Sequence, residues 1–140
     1  MKPADVLRAW EQHDRGDLHL QPVAVGPMPE NATADHERVV RDIVLHIAVM
    51  RAAGIWHPVP YTHRRCRDRM GWEGDAGKRR ASAILRDLRL AGTFECPPPL
   101  KGRGGMPGST VWAEPLRVEQ VVTAAPPVAD RVEADRDLSR

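Results

Sequence analysis

Lysine and arginine residues cluster in the middle of the chain. From Tyr61 to Arg103 there are eleven Lys or Arg residues and five Asp or Glu residues, a surplus of six positive charges. The whole chain of 140 residues carries only +2, so the remaining residues carry four net negative charges. A basic segment within a nearly neutral protein is typical of binding to a polyanion. A solvated basic surface without a partner has the same pattern, so charge alone leaves both interpretations open.

Histidine and cysteine offer a second kind of chemistry, metal binding. His63 and Cys66 are three residues apart, and His57 precedes them. Structural zinc takes four ligands, commonly from two short-spaced pairs, and no second pair completes this set. We therefore expect no metal site. Zinc at these residues, and a redox switch between Cys66 and Cys96, remain alternatives to free thiols that pack as small apolar groups.

Motifs for catalysis are missing from the sequence. It contains no nucleophile elbow, no HExxH motif and no acidic cluster with metal-ligand spacing, so we expect no catalytic residue. The glycine-rich stretch 101–105 lacks the context and lysine pattern of a nucleotide-phosphate loop, so we expect no cofactor or small-molecule ligand. The four tryptophans lie in separate segments, which favours packing at the edges of a core. If they lined one face, single-stranded nucleic acid would become the expected ligand.

Two amphipathic helices are predicted around the start of the basic segment. The first begins near Thr33 or Asp35, either of which can cap it, and ends before Gly54. Its apolar stripe has helical spacing and consists of Val40, Ile43, Val44 and Ile47. The second is short, with Thr62 as its N-cap and Gly71 at its end. The turn that follows, GWEGDAG, is expected to be longer than a tight turn of three or four residues between two helices.

A third predicted helix carries the basic side chains. It begins at Ala76 with Asp75 as its N-cap and ends before Gly92. Its buried stripe consists of Ala81, Ile84, Leu85 and Leu88. Its N-terminal half carries Lys78, Arg79, Arg80 and Ser82. Because successive residues differ by about 100° around a helix, Arg79 lies nearly opposite the stripe and Arg80 lies closer to its buried side.

Short strands and irregular segments complete the prediction. WHPVP at 56–60 predicts a short strand or a strand-like linker, and TFEC at 93–96 and STVWAE at 109–114 are strand candidates. The loop between the last two, within 97–108, is rich in proline and glycine. Residues 1–32 are predicted as a short helix followed by an extended arm, and 117–140 as a charged tail or marginal helix, with RVEQVV at 117–122 as a possible extension of the last strand. The core should contain Ile43, Ile47, Ile84, Leu85, Leu88, Phe94 and Trp112.

The order of elements from residue 33 to residue 116 resembles the winged helix-turn-helix superfamily. RMGW (Arg69–Trp72) is similar to the end of its second helix and the turn. ILRDLRLAGTF (Ile84–Phe94) is similar to a recognition helix that runs into the first wing strand, and GSTVWAE is similar to the returning strand. The resemblance implies an α+β fold, mainly α with a small β-hairpin. We expect a three-helix winged domain at 33–116 with flexible or loosely packed terminal extensions.

The resemblance also implies a function, binding of double-stranded DNA. The basic helix would enter the major groove through its N-terminal half, and the 97–108 wing would contact the backbone. Arg79 would read a base and Arg80 would hold a phosphate. The expected DNA-binding residues are Thr62, Arg64, Arg65, Lys78, Arg79, Arg80, Ser82, Lys101 and Arg103.

Composition and length are compatible with this interpretation. Charged residues make up 29% and hydrophobic residues 41%, and no apolar run approaches the roughly 20 residues of a membrane span. The polar N-terminus does not resemble a signal peptide, so we expect a cytoplasmic protein. We expect a bacterial, phage or plasmid regulator of transcription that acts as a dimer, through Trp10 or the C-terminal tail. The alternative is a winged-helix protein-interaction module in a replication, partition or transcription complex.

Overall fold

A computed structural model of the chain describes residues 3–56, 58–96 and 111–124. Within these ranges it contains four helices and two small antiparallel sheets. The helices are α1 (Pro3–Asp14), α2 (Ala34–Ala52), α3 (His63–Met70) and α4 (Gly74–Ala91). The strands are β1 (Val23–Val25), β2 (Val59–Pro60), β3 (Val111–Trp112) and β4 (Gln120–Val122). The expected class, mainly helical with a little antiparallel sheet, is confirmed.

Local signals determine where α2 and α3 begin and end. The Thr33 hydroxyl accepts a hydrogen bond from the His36 backbone N–H, and His36 Nδ1 accepts one from the Thr33 N–H at 3.1 Å. Thr33 is therefore the cap of α2. The Thr62 hydroxyl caps α3 by accepting from the Arg65 N–H at 3.1 Å. Gly71 ends α3 with a φ of 77°, a left-handed conformation that favours glycine.

The start of α4 differs from the prediction. The Gly77 N–H donates to the Glu73 carbonyl at 3.1 Å, so the helix begins at Gly74 and its N-cap residue is Glu73. Asp75 is therefore not the cap. It lies in the first turn, where its negative charge interacts favourably with the helix dipole. Because α4 begins earlier, the turn after α3 spans only 71–73, and the expectation of a longer turn is wrong.

The core lies between α2, α3, α4 and the strands. All seven residues predicted to pack together, namely Ile43, Ile47, Ile84, Leu85, Leu88, Phe94 and Trp112, belong to one buried cluster. The strand β2 pairs antiparallel with β3, with Val59 opposite Trp112, which confirms both strand candidates. TFEC contributes only a bridge, in which Glu95 and Ala113 exchange two backbone hydrogen bonds of 3.0 and 2.9 Å. The wing loop, with Lys101 and Arg103, lies outside the described residues.

The N-terminal arm is part of the packed structure, which corrects the expectation of loosely packed extensions. The strand β1 pairs antiparallel with β4, with Val23 opposite Val122. Val23 and Val25 are completely buried in the core cluster, because alternate residues of a strand point to the same face. Residues 120–122 therefore belong to the fold and not to a tail. The remainder of the expected tail, 125–140, lies outside the described residues.

The helices in the part of the chain that the structure describes include no candidate for a membrane span. None of the helices there is both long enough and apolar enough to cross a bilayer.

Candidate nucleic-acid interface

The helix α4 buries one face and exposes the other. The buried face consists of Gly77, Ala81, Ile84, Leu85 and Leu88. At about 100° per residue, the opposite face is centred on Arg79, with Arg86 two turns further along. Both arginines are exposed, and neither belongs to the ion pairs found among the described residues. Arg79 is therefore presented to solvent on a helix whose other side is fixed in the core.

Arg80 lies closer than Arg79 to the buried side of α4, as the helical spacing predicts. Its guanidinium pairs with the Asp35 carboxylate and stacks on the Trp72 ring, 4.2 Å from the ring centroid. Asp35 is in the first turn of α2, and Trp72 is in the turn before α4. The two contacts therefore fix Arg80 of α4 to α2 and to the turn that precedes α4. About half of the Arg80 side chain remains exposed.

A second contact between α2 and α4 lies beside the Arg80 pair. His36 Nε2 is 3.0 Å from Asp87 Oδ2. Since His36 Nδ1 accepts from the Thr33 N–H, the imidazole proton sits on Nε2, which donates to Asp87. The cap of α2 thus also fixes the middle of α4, so the exposed face of α4 has a defined orientation on the scaffold.

Three of the predicted site residues gather at the start of α3. A groove there is lined by Thr62, Arg64, Arg65, Asp68 and Arg69. Arg64 and Arg65 are exposed, whereas the Thr62 hydroxyl oxygen is occupied by its capping bond. Lys78 and Ser82 are exposed on α4. Seven of the nine predicted residues are thus described, on the first turn of α3 and the N-terminal half of α4.

Three further polar residues were not among the predicted DNA-binding residues, although the sequence offered His63 as a zinc ligand. His63, Arg86 and Arg89 line a cavity together with Ser82. Ser82, Arg86 and Arg89 are spaced four and three residues apart, which places them on one flank of α4. This spacing could have revealed the two arginines from the sequence. His63 is brought to the cavity by the packing of α3 on α4, which sequence spacing does not show.

Asp42 organises the scaffold beneath α3. Its carboxylate accepts hydrogen bonds from the Tyr61 hydroxyl at 2.7 Å and from Arg69 Nη2 at 2.7 Å and Nε at 3.0 Å. The hydrogen bond to Asp42 is the main reason that the pKa of Arg69 is raised, and burial is the main reason that the pKa of Tyr61 is raised. The pair joins α2 to α3 and keeps the Arg69 charge engaged within the protein.

His46 lies next to this carboxylate on α2. Its Nδ1 donates to the Asp42 backbone carbonyl at 2.7 Å, while its Nε2 is buried without a hydrogen-bond partner among the described residues. Burial lowers the pKa of His46 below its usual 6.5, against the opposing charge of Asp42. The Trp10 ring of α1 covers it edge-on at 5.0 Å. His46 is therefore held neutral in the scaffold.

The pKa values of both cysteine thiols are raised above their usual value. Burial raises the pKa of Cys66 to about 11 and also raises the pKa of Cys96. Because the thiolate is the reactive form, a raised pKa opposes redox chemistry and metal binding. Within the described ranges no group of three His, Cys, Asp or Glu residues is placed to hold a metal ion. His57, the third residue of the zinc alternative, lies outside those ranges.

The tryptophans occupy separate environments. Trp112 is buried against Phe94, with ring centroids 6.0 Å apart, whereas Trp56 is exposed beside Arg51. Trp10 packs on His46 and Trp72 on Arg80. No two indoles are paired in the described part of the chain, so the geometry offers no support for a base-stacking platform.

Comparison of the chain with protein-family models, with curated protein sequences and with solved structures gives no match. The functional conclusion rests on the arrangement of the residues alone.

Proposed function

We propose that residues 33–116 form a winged helix-turn-helix domain that binds double-stranded DNA in a sequence-specific manner. The proposed role is a transcriptional regulator or a plasmid or phage control protein, acting in the cytoplasm. The order helix, strand, helix, three-residue turn, helix and strand supports it. The strand β3 pairs with β2 and Ala113 bridges to Glu95, so segments from before α3 and from after α4 both contact the β3 region.

The observation that carries this proposal is the position of Arg79. It lies near the start of α4, at the centre of the exposed face, on a helix fixed from behind by the core and by Arg80. A major groove about 12 Å wide admits one α-helix, whose N-terminal half contacts the base edges. An arginine there can pair bidentately with guanine. Arg79 is therefore the proposed base-reading residue.

The remaining basic residues are proposed to hold the DNA backbone. Arg64 and Arg65 lie in the groove at the start of α3, and Lys101 and Arg103 lie in the wing loop sequence. Arg80 is half exposed and remains a proposed phosphate contact, although a phosphate there would compete with Asp35. Contacts of this kind position a protein on DNA without reading its sequence.

Salt dependence of duplex binding tests the proposal. A mobility-shift assay would use genomic fragments that include the promoter of the gene itself, at several salt concentrations. The logarithm of the affinity should fall with the logarithm of salt concentration, by about 0.9 for each phosphate neutralised. Absence of duplex binding at low salt would refute the proposal.

A second candidate, a protein-interaction module, is favoured by exposed apolar side chains in one short segment of the chain. Leu116, Val118 and Val121 are 89%, 55% and 63% exposed, and apolar side chains that form an exposed patch often mark interfaces. A partner protein of a replication, partition or transcription complex, or a second copy of the chain in a homodimer, would cover them. Binding through this surface would depend weakly on salt, whereas binding of DNA depends on it steeply.

A further inference from the structure

A cavity of about 180 Å³ lies between the start of α3, one flank of α4 and β3. Its lining residues are His63, Ser82, Leu85, Arg86, Arg89 and Trp112. Leu85 and Trp112 are buried and form its apolar base. The other four are polar, and they supply two guanidinium groups, one imidazole and one hydroxyl. Among the described residues, no Asp or Glu lines the cavity.

The donors around the cavity are available to a ligand. Arg86 and Arg89 are exposed and belong to none of the ion pairs found among residues 3–56, 58–96 and 111–124. The Trp112 indole N–H is already used, since it donates to the Tyr61 carbonyl at 2.8 Å. The indole therefore supplies packing while the arginines supply charge. An arginine differs from a lysine in offering a planar fork of donors that matches an oxyanion.

We infer that this cavity binds a phosphate group. Two arginines and Ser82 line a space that no carboxylate of the described residues lines, and a tetrahedral oxyanion carries enough acceptor oxygens for all three donors. The phosphate has two possible sources, a phosphodiester of the DNA backbone or a phosphate on a small molecule. The first source rests on the proposed function, because Arg86 shares the exposed face of α4 with Arg79. The second source does not require DNA binding.

The test uses the full chain with two probes, inorganic phosphate and a duplex oligonucleotide. Backbone-amide NMR would follow a titration with sodium phosphate against sodium chloride at matched ionic strength. The test variant is Arg86→Gln with Arg89→Gln, which removes both charges and keeps good helix formers. The control is Arg41→Ala, an exposed arginine on α2. Circular dichroism would establish that both variants remain folded.

We expect phosphate to shift the amide signals of Ser82, Arg86 and Arg89 in the wild type and in the control, but not in the double variant. For a DNA phosphate, the double variant should also bind the duplex at least about tenfold more weakly, with a salt slope smaller by about 0.9 for each phosphate that it no longer neutralises. Two results would identify a small-molecule phosphate as the ligand. In the first, the double variant fails to bind phosphate but binds the duplex with unchanged affinity. In the second, the double variant fails to bind phosphate, and neither the wild type nor any variant binds a duplex.

One result separates this inference from the proposed function. If the wild type binds the duplex with a steep salt dependence, while the double variant binds equally well and phosphate shifts no signal at the cavity, the inference is wrong and the proposed function stands. If neither probe binds the wild type, both are wrong.

Discussion

Asp42 joins α2 to α3 through hydrogen bonds to Tyr61 and Arg69. Its side chain is 8% exposed and accepts hydrogen bonds from Tyr61 and Arg69, which follow it by 19 and 27 residues. Loss of one partner from such a buried network leaves the others unsatisfied in a poorly solvated environment. The carboxylate therefore contributes to the position of the basic side chains at the start of α3 without itself reaching their surface.

His46, beside Asp42, makes stability depend on pH. Its pKa is lowered in the folded chain, so the unfolded chain takes up the proton first as the pH falls below about 6.5. The stability that neutral His46 provides is complete above that pH and is lost as the pH falls towards the folded pKa. We predict that His46→Gln reduces the loss of stability between pH 7.5 and pH 5.0, measured as the urea midpoint.

His19→Gln is the matched control, because His19 is exposed. It should keep the pH dependence of the wild type. Equal pH dependence in the wild type and His46→Gln would show that burial of this imidazole does not affect stability.

The element that carries the functional argument is α4, and its buried stripe can be tested directly. Leu88 is completely buried, whereas Leu90 on the same helix is 75% exposed. We predict that Leu88→Ala lowers the free energy of unfolding by about 2–5 kcal/mol through reduced apolar burial and a cavity. Leu90→Ala should change it by less than about 0.5 kcal/mol. Similar urea denaturation curves for the two variants would contradict the assignment of the buried and exposed faces of α4.

The wing loop is the element whose predicted role depends on sequence alone. Lys101 and Arg103 stand among glycines, so their charges can approach a phosphate closely. We predict that changing both to Ala weakens binding to all duplexes alike and reduces the salt slope by about one for each phosphate that is no longer bound. The measurement is a salt titration of affinity on a specific and a random duplex. Unchanged affinity and slope would leave the wing as a protein contact or a free loop.

Sequence reasoning succeeded at the helices because their signals are local. Thr33, Thr62, Gly71 and Gly92 act within one helical turn, and each lies where the sequence predicts a cap or an end. It failed at β1, because a strand of three residues is too short to establish a period and its partner lies nearly a hundred residues away. The start of α4 was predicted two residues too late, because the Glu73 carbonyl accepts the first hydrogen bond of the helix and no side chain caps it.

The candidate site was predicted only in part, because some of its contacts join residues that lie far apart in the sequence. The basic residues of α3 and α4 follow from composition and helical spacing. The partner of Arg80, Asp35, is 45 residues away in sequence, and only packing of α4 on α2 brings the two together. The cavity beside Arg86 and Arg89 likewise requires His63 and Trp112 from other elements. Contacts of this kind depend on tertiary structure and leave no periodic signal in the sequence.

At the scale of the whole molecule, the pairing of β1 with β4 joins segments that lie nearly a hundred residues apart in the sequence. Val25 is completely buried in the core cluster, and its carbonyl accepts from the Glu119 N–H at 2.9 Å. We predict that Val25→Ala lowers the free energy of unfolding by about 2 kcal/mol, because it removes buried apolar volume. Val118→Ala, at a position that is 55% exposed, is the control. If Val25→Ala is as stable as the control in thermal unfolding, β1 behaves as a loose arm.

The central claim for the whole molecule, that α4 reads double-stranded DNA through Arg79, is tested most directly by Arg79→Ala. Affinity would be measured on the best site from a duplex selection and on random duplex, with Arg41→Ala as the control. We predict a loss of about 1–3 kcal/mol on the best site and little on random duplex, because the guanidinium that pairs with a base is removed. A folded Arg79→Ala variant that binds its best site with wild-type affinity would contradict the account.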